Sequence, residues 1–166
     1  MNAVKRILAP ADLSNLSTVG VCRALEIADS SEGAEVIIYN VITLEETPYP
    51  HAVVEWVASQ AEFSPVRETV EERRTLLAQF VVRNFADLIS KIKIREEVEI
   101  GVPYKKIVEK AAAERVDMIV MCTHGRTGLL HMLIGSVTEQ VVRRALCPVL
   151  SVPPPREAGG GRSDPL

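Results

Sequence analysis

Apolar positions along this chain follow two rhythms that take turns. Short runs at 4–9, 35–42, 117–122 and 148–152 are apolar on both sides, which predicts buried strands. Between them the spacing turns helical: Val21, Ala24, Leu25 and Ala28; then Leu77, Phe80, Val81, Phe85 and Leu88; then Tyr104, Ile107, Val108 and Ala111. A last helix is expected over about 136–145. Residues 92–100 alternate instead, with Ile92, Ile94, Val98 and Ile100 on one face, which predicts a strand near a sheet edge with one wet side. Pro10 closes the first run, Asp12 and Ser14 offer helix caps after it, and Gly33, Gly101 and Pro103 punctuate later boundaries. Residues 43–65 are irregular, holding Pro48, Pro50, Pro65, the sole Trp56 and one candidate helical turn at 53–61.

The resulting order is β-α-β-α-β-α-β-α-β. Strands separated by helices, without hairpin turns, imply right-handed crossovers between parallel strands. The expected fold class is α/β: a three-layer, doubly wound, Rossmann-like five-stranded parallel sheet with helices on both faces. Ligands in such sheets sit at the strand C-terminal ends, where strand order reverses. One domain over 1–152 and a disordered C-terminal tail over 153–166, rich in Pro and Gly, account for the whole length.

Composition narrows the function. Hydrophobic residues make up 47% but aromatics only 4%, an aliphatic core suited to a covered sheet. The net charge of −3, without long runs of either sign, argues against nucleic acid or an anionic membrane as partner. Cys22, Cys122 and Cys147 form no C-x-x-C pair, and the opening residues lack a signal-peptide core, so a reduced cytoplasmic setting is expected. No apolar run reaches the roughly 18 residues that span a bilayer.

The segment that carries chemistry runs from Cys122 to Glu139. It leaves a buried strand, passes Thr123, His124, Gly125, Arg126 and Gly128, and reaches Gly135 and Ser136 where a helix begins. Glycines let backbone approach an anion, and the first amides of a helix present partial positive charge. Ser136 adds a hydroxyl and Arg126 a fixed charge. That is a phosphate cradle. A blander account stands beside it: Ser136 and Glu139 also spell a capping box for the helix itself. His124 reads as a phosphate contact, a general acid or a local hydrogen-bonding residue, and Cys122 as a redox-sensitive thiol or an inert core residue. His51 and His131 lack metal-ligand spacing, and Arg143 and Arg144 offset a helix dipole. Trp56, with Val53, Val54 and Val57, forms either a lid or a patch closing the sheet edge.

The opening ILAPADLS, the Asn40-Val41 pair and the run from Thr123 to Val152 make the chain resemble the universal stress proteins over nearly all of residues 3–152. The nucleotide-binding branch of that family carries Gly, two residues, Gly, nine residues, Gly and Ser or Thr. Gly125, Gly135 and Ser136 match the later positions, while Cys122 stands at the first. The resemblance implies ATP as ligand, with Asp12 and Val41 on the adenosine. Thr123, His124, Gly125, Arg126, Gly135, Ser136 and Val137 would surround the phosphates. Pro10, Ala11, Met121, Cys122, Gly128 and Thr138 complete the implied site, and a Mg²⁺ or Mn²⁺ ion would arrive with the phosphates and be held by Asp12 and water. It also implies a homodimer through the last strand, from Pro148 to Val152.

The functional expectation is an ATP-binding regulatory module for stress response, hydrolysing at most slowly. Neither a G-x-x-x-x-G-K-[ST] loop nor an evident base for water is present. The alternative is a dimeric interaction protein of the same fold that binds no nucleotide, which Cys122 favours. A true enzyme, an adenylyltransferase or ATP pyrophosphatase, would need an H-x-G-H or S-G-G-x-D-S motif, and the chain has neither.

Overall fold

The β-branched density of residues 35–42 leaves little alternative to a buried strand, and in the computed structural model β2 spans Glu35–Ile42. The structure describes residues 3–47, 64–123 and 135–155. Strands β1 (Arg6–Pro10), β2, β3 (Lys93–Ile100), β4 (Met118–Cys122) and β5 (Val149–Val152) form one sheet in the order β3-β2-β1-β4-β5, every pair parallel. Helices α1 (Ser17–Asp29), α2 (Ser64–Ile89), α3 (Pro103–Ala113) and α4 (Ser136–Arg144) connect them. The doubly wound architecture is the expected one.

Alternate strand residues point to opposite faces, so each central strand feeds two cores. Ile7, Ala9, Val36, Ile38 and Val120 pack with α1 and α2. Leu8, Ile37, Tyr39, Ile119 and Met121 pack on the other side with Ile107, Ala111 and Val141 of α3 and α4. The helical stripe of α1 is buried at Val21, Ala24, Leu25 and Ala28. In α2 the stripe holds through Leu77, Phe80 and Val81 and then kinks, Phe85 taking φ −136 and ψ 21.

Several boundaries differ from the sequence expectation, each for a local reason. β1 starts at Arg6 rather than Val4, because the Asp117 carboxylate accepts the amides of Lys5 and Arg6 at 2.7 and 2.8 Å. Asp117 therefore lies before β4 rather than in it. Of the two expected caps, Ser14 alone reaches the first amide of α1. The helix N-cap is Leu16, while Asp12 accepts the Ser14 amide at 3.0 Å and Ser14 Oγ accepts the Ser17 amide at 3.2 Å. β1 also continues through Pro10, and β5 begins at Val149. The turn expected at 53–61, Trp56, and the tail from 156 onward lie outside the described residues. Among the described residues no helix is long and apolar enough to cross a membrane.

The edge strand β3 keeps Val98 and Ile100 buried, but its other face is ion-paired rather than simply wet. Arg95 meets Glu97 and Glu114, and Lys110 of α3 meets Glu97 and Glu99 at 2.7 and 2.6 Å. Glu35 joins Arg6, Lys93 and Arg95. Burial opposes ionisation of Glu35 and Glu99, but their cations outweigh it and hold both below the usual carboxylate range. Arg95 does the same for Glu114, and the Lys5 and Arg6 amides for Asp117. Carboxyls depressed on folding stabilise the fold above their unfolded pKa and lose that contribution as pH falls through the folded one. Thermal midpoints followed by circular dichroism should therefore drop as pH is lowered below about 4, near the free-carboxyl range. Glu35→Gln should flatten that drop, and a midpoint indifferent to acid would remove the network from the stability account.

Candidate functional site

The strand order reverses at β1, whose neighbours β2 and β4 are reached by connections running to opposite sides. Pairing between β1 and β4 is confined to Ile7↔Met118 and Leu8↔Ile119, whereas β1 and β2 pair from Arg6↔Glu35 to Pro10↔Tyr39. The Ala11 amide bonds to Tyr39 of β2 at 2.9 Å, so the amide position before it faces β4. That position is Pro10, which has no N–H to give. The strands part there and open a crevice.

A cavity of about 450 Å³ occupies it, at the C-terminal ends of β1, β2 and β4. Ten of the residues singled out in the sequence line it: Pro10, Ala11, Asp12, Val41, Met121, Cys122, Gly135, Ser136, Val137 and Thr138. Thr123 is not among the lining residues. It is buried and ties the walls together, its carbonyl accepting the Gly135 amide at 2.6 Å and its amide donating to Val152 at 2.9 Å. Buried Thr138 adds a second tie by donating to the Cys122 carbonyl at 2.9 Å. His124, Gly125, Arg126 and Gly128 lie outside the described residues.

The capping-box account of Ser136 and Glu139 does not hold. Gly135 is the N-cap of α4, with no side-chain cap bond, and Ser136 is already the first helical residue. Glu139 turns away to pair with Arg143 at 2.9 Å. The first turn of α4, from Gly135 to Thr138, lines the cavity, where helix N-terminal amides favour negative charge. Leu13, in the loop after β1, holds φ 64, a left-handed conformation costly for a non-glycine residue. Contacts that fix this loop therefore matter.

Sequence reading missed the far wall, formed in part by Tyr39, Thr43, Glu45, Glu46, Pro103 and Ile107. Thr43 and Glu46 had a legible signal, the T-x-x-E spacing of a cap: the Glu46 carboxylate accepts the Thr43 amide at 2.9 Å and its hydroxyl at 3.1 Å. The Tyr39 hydroxyl is buried without a hydrogen-bond partner among the described residues. Burial first, then the nearby Glu99 and Glu97 carboxylates, keep it protonated far above the usual phenol range. Among the described residues the lining carries Asp12, Glu45 and Glu46 and no cationic side chain. No group of three or more potential metal ligands occurs among those residues.

The cavity suits a molecule with an apolar, flat part and an anionic end. Pro10, Val41, Met121 and Ile107 offer apolar contact, Asp12 accepts from hydroxyls, and the α4 N-terminus receives negative charge.

Comparison with known proteins gives a consistent result. The family model for the universal stress protein family matches residues 3–153. Universal stress protein MJ0531 of Methanocaldococcus jannaschii is 32% identical over 158 residues, covering 94% of this chain and 86% of that protein. The solved structure of MJ0577, from the same organism, superposes with TM-score 0.72 at 26% identity, covering 94% of this chain and all of the other. A solved universal stress protein in complex with cAMP shares the fold at TM-score 0.63 and 24% identity, over 93% of this chain and 100% of that one.

Proposed function

This chain belongs to the universal stress protein family, and from that premise we propose that it is an ATP-binding regulatory module acting as a homodimer. The observation that carries the reading is the crevice itself: a cavity of about 450 Å³ at the strand-order reversal, with Asp12 on one wall and the N-terminus of α4 on another. The fold is able to hold nucleotides, since one solved protein of this architecture holds cAMP and another, from Arabidopsis thaliana, holds AMP. Asp12 would take the ribose hydroxyls, backbone groups at Val41 the base, and Gly135, Ser136 and Val137 the phosphates. With three carboxylates and no cation in the described lining, a triphosphate would come with Mg²⁺ or Mn²⁺. The bound nucleotide would act by occupancy, passing its presence to a partner with at most slow hydrolysis. Residues 1–152 would form the nucleotide-binding domain, with 153–166 as an appended disordered tail.

Analysis of small molecules released by denaturing freshly purified protein tests the reading. ATP in near-stoichiometric amount supports it; release of nothing, together with failure to take up added ATP, defeats it. The second reading, a dimeric interaction protein without nucleotide, rests on Cys122, buried at the cavity wall where the nucleotide-binding pattern has glycine.

The dimer is supported by β5, which among the described residues is an edge strand paired with β4 alone, where Leu150 is 37% exposed and nearby Leu146 is 92% exposed. Leu150→Asp should convert the protein to a monomer in sedimentation velocity while leaving its circular dichroism spectrum intact. A dimer that survives the change would place the interface elsewhere.

A further inference from the structure

One chain of hydrogen bonds joins α2 to two segments of the cavity wall, the loop after β1 and the turn after β2. The Arg73 guanidinium donates through Nη2 to Glu46 Oε1 at 3.0 Å and through Nη1 to Asn40 Oδ1 at 3.4 Å. Asn40, fully buried in β2, donates in turn through Nδ2 to the Ala11 carbonyl at 2.7 Å. The other Glu46 oxygen holds the Thr43 amide and hydroxyl. Ala11, Thr43 and Glu46 line the cavity, whereas Arg73 and Asn40 stand behind it.

We propose that Arg73 is the positioning residue of this site, fixing the loop after β1 and the turn after β2 at one separation; the proposal rests on the nucleotide reading above. Three observations support it. The Arg73 and Glu46 side chains are only 14% and 19% exposed, so the pair is shielded from solvent more than an ordinary surface ion pair. The loop it reaches through Asn40 contains Leu13 at φ 64, a conformation that persists only when surrounding contacts impose it. Arg73 also neutralises Glu46 at the rim of a cavity read as a site for a polyanion. A planar guanidinium serves two acceptors at once, which the single ammonium of lysine does less well.

The test uses Arg73→Met and Arg73→Lys, both first checked for a native circular dichroism spectrum. Titrations are run with ATP, adenosine and inorganic tripolyphosphate, and backbone hydrogen exchange is followed by mass spectrometry without ligand. Arg73→Met should weaken ATP and adenosine by about tenfold, the loss of one charged hydrogen bond, and leave tripolyphosphate unchanged. Exchange should quicken together at residues 11–14 and 43–47, which are distant in sequence but joined by this chain. If Arg73→Met does not fold, Arg73→Lys should show the same pattern more weakly. Wild-type affinity in a folded variant, equal loss for tripolyphosphate, or faster exchange confined to 43–47 would overturn the proposal. If wild type binds no nucleotide at all, the site reading fails by itself, and paired or unpaired exchange still decides whether Arg73 couples the two loops.

Discussion

Gly20→Val is expected to lower the stability of this protein by roughly 3 kcal/mol, at the upper end of the usual cost of overpacking. Gly20 sits in α1 where the helix presses on the end of β4. A β-carbon there would stand 2.7 Å from the Cys122 amide nitrogen and 2.9 Å from the Met121 carbonyl carbon. Both are backbone atoms of a central strand, so no side chain can swing aside to relieve the clash. Either α1 lifts from the sheet or β4 moves. The second course would also displace Cys122 and the Thr138 bond to its carbonyl, so ligand affinity should fall along with stability. Urea denaturation of the variant against wild type measures the first effect. A loss below about 1 kcal/mol would mean that the α1–β4 contact is softer than these distances require.

The second large effect concerns Asp12. If its carboxylate receives ribose hydroxyls, Asp12→Ala should weaken ATP by about ten- to a hundredfold, since a hydrogen bond to a charged group contributes roughly 1.5–3 kcal/mol. Asp12 also organises its own loop, accepting the Ser14 amide at 3.0 Å and hydroxyl at 2.6 Å. Asp12→Asn separates the two roles, because an amide oxygen keeps the Ser14 turn while the charge is lost. Ser136→Ala should cost less than Asp12→Ala, as the α4 amides remain in place. Chelation of divalent cations should weaken ATP more than adenosine, because the described lining brings no cationic side chain to the phosphates. An Asp12→Ala protein that binds ATP like wild type would remove the carboxylate from the site.

The sheet was legible because its strands announce themselves locally. Residues 35–42, five of whose eight residues are Val or Ile, became β2 unchanged. The single-faced alternation of β3 likewise marked a true edge. Strand beginnings were less legible, since a distant carboxylate, Asp117, decides where β1 starts. The Ser136–Glu139 pattern misled because Arg143, one turn on, takes the Glu139 side chain. The kink at Phe85 left no mark in a stripe that reads as continuous.

The cavity divides in the same way. Its β1 loop and α4 entrance were visible as a strand-end Pro-Ala-Asp and a Gly-Ser at a helix start. The opposite wall is assembled from β2, the turn at 44–46 and α3, elements whose meeting only the fold determines. Arg73 is the extreme case. Nothing around it in α2 distinguishes it from neighbouring Arg74, which pairs with Glu71 on an exposed helix face. The difference is that Arg73 points beneath the cavity and reaches Glu46 and Asn40.

The central claim is that this crevice holds a nucleotide, and titration calorimetry of nucleotide-stripped protein with ATP and Mg²⁺ tests it most directly. One site per chain with a dissociation constant in the range of about 1–100 µM is the predicted result. No heat and no saturation at millimolar ATP would contradict it.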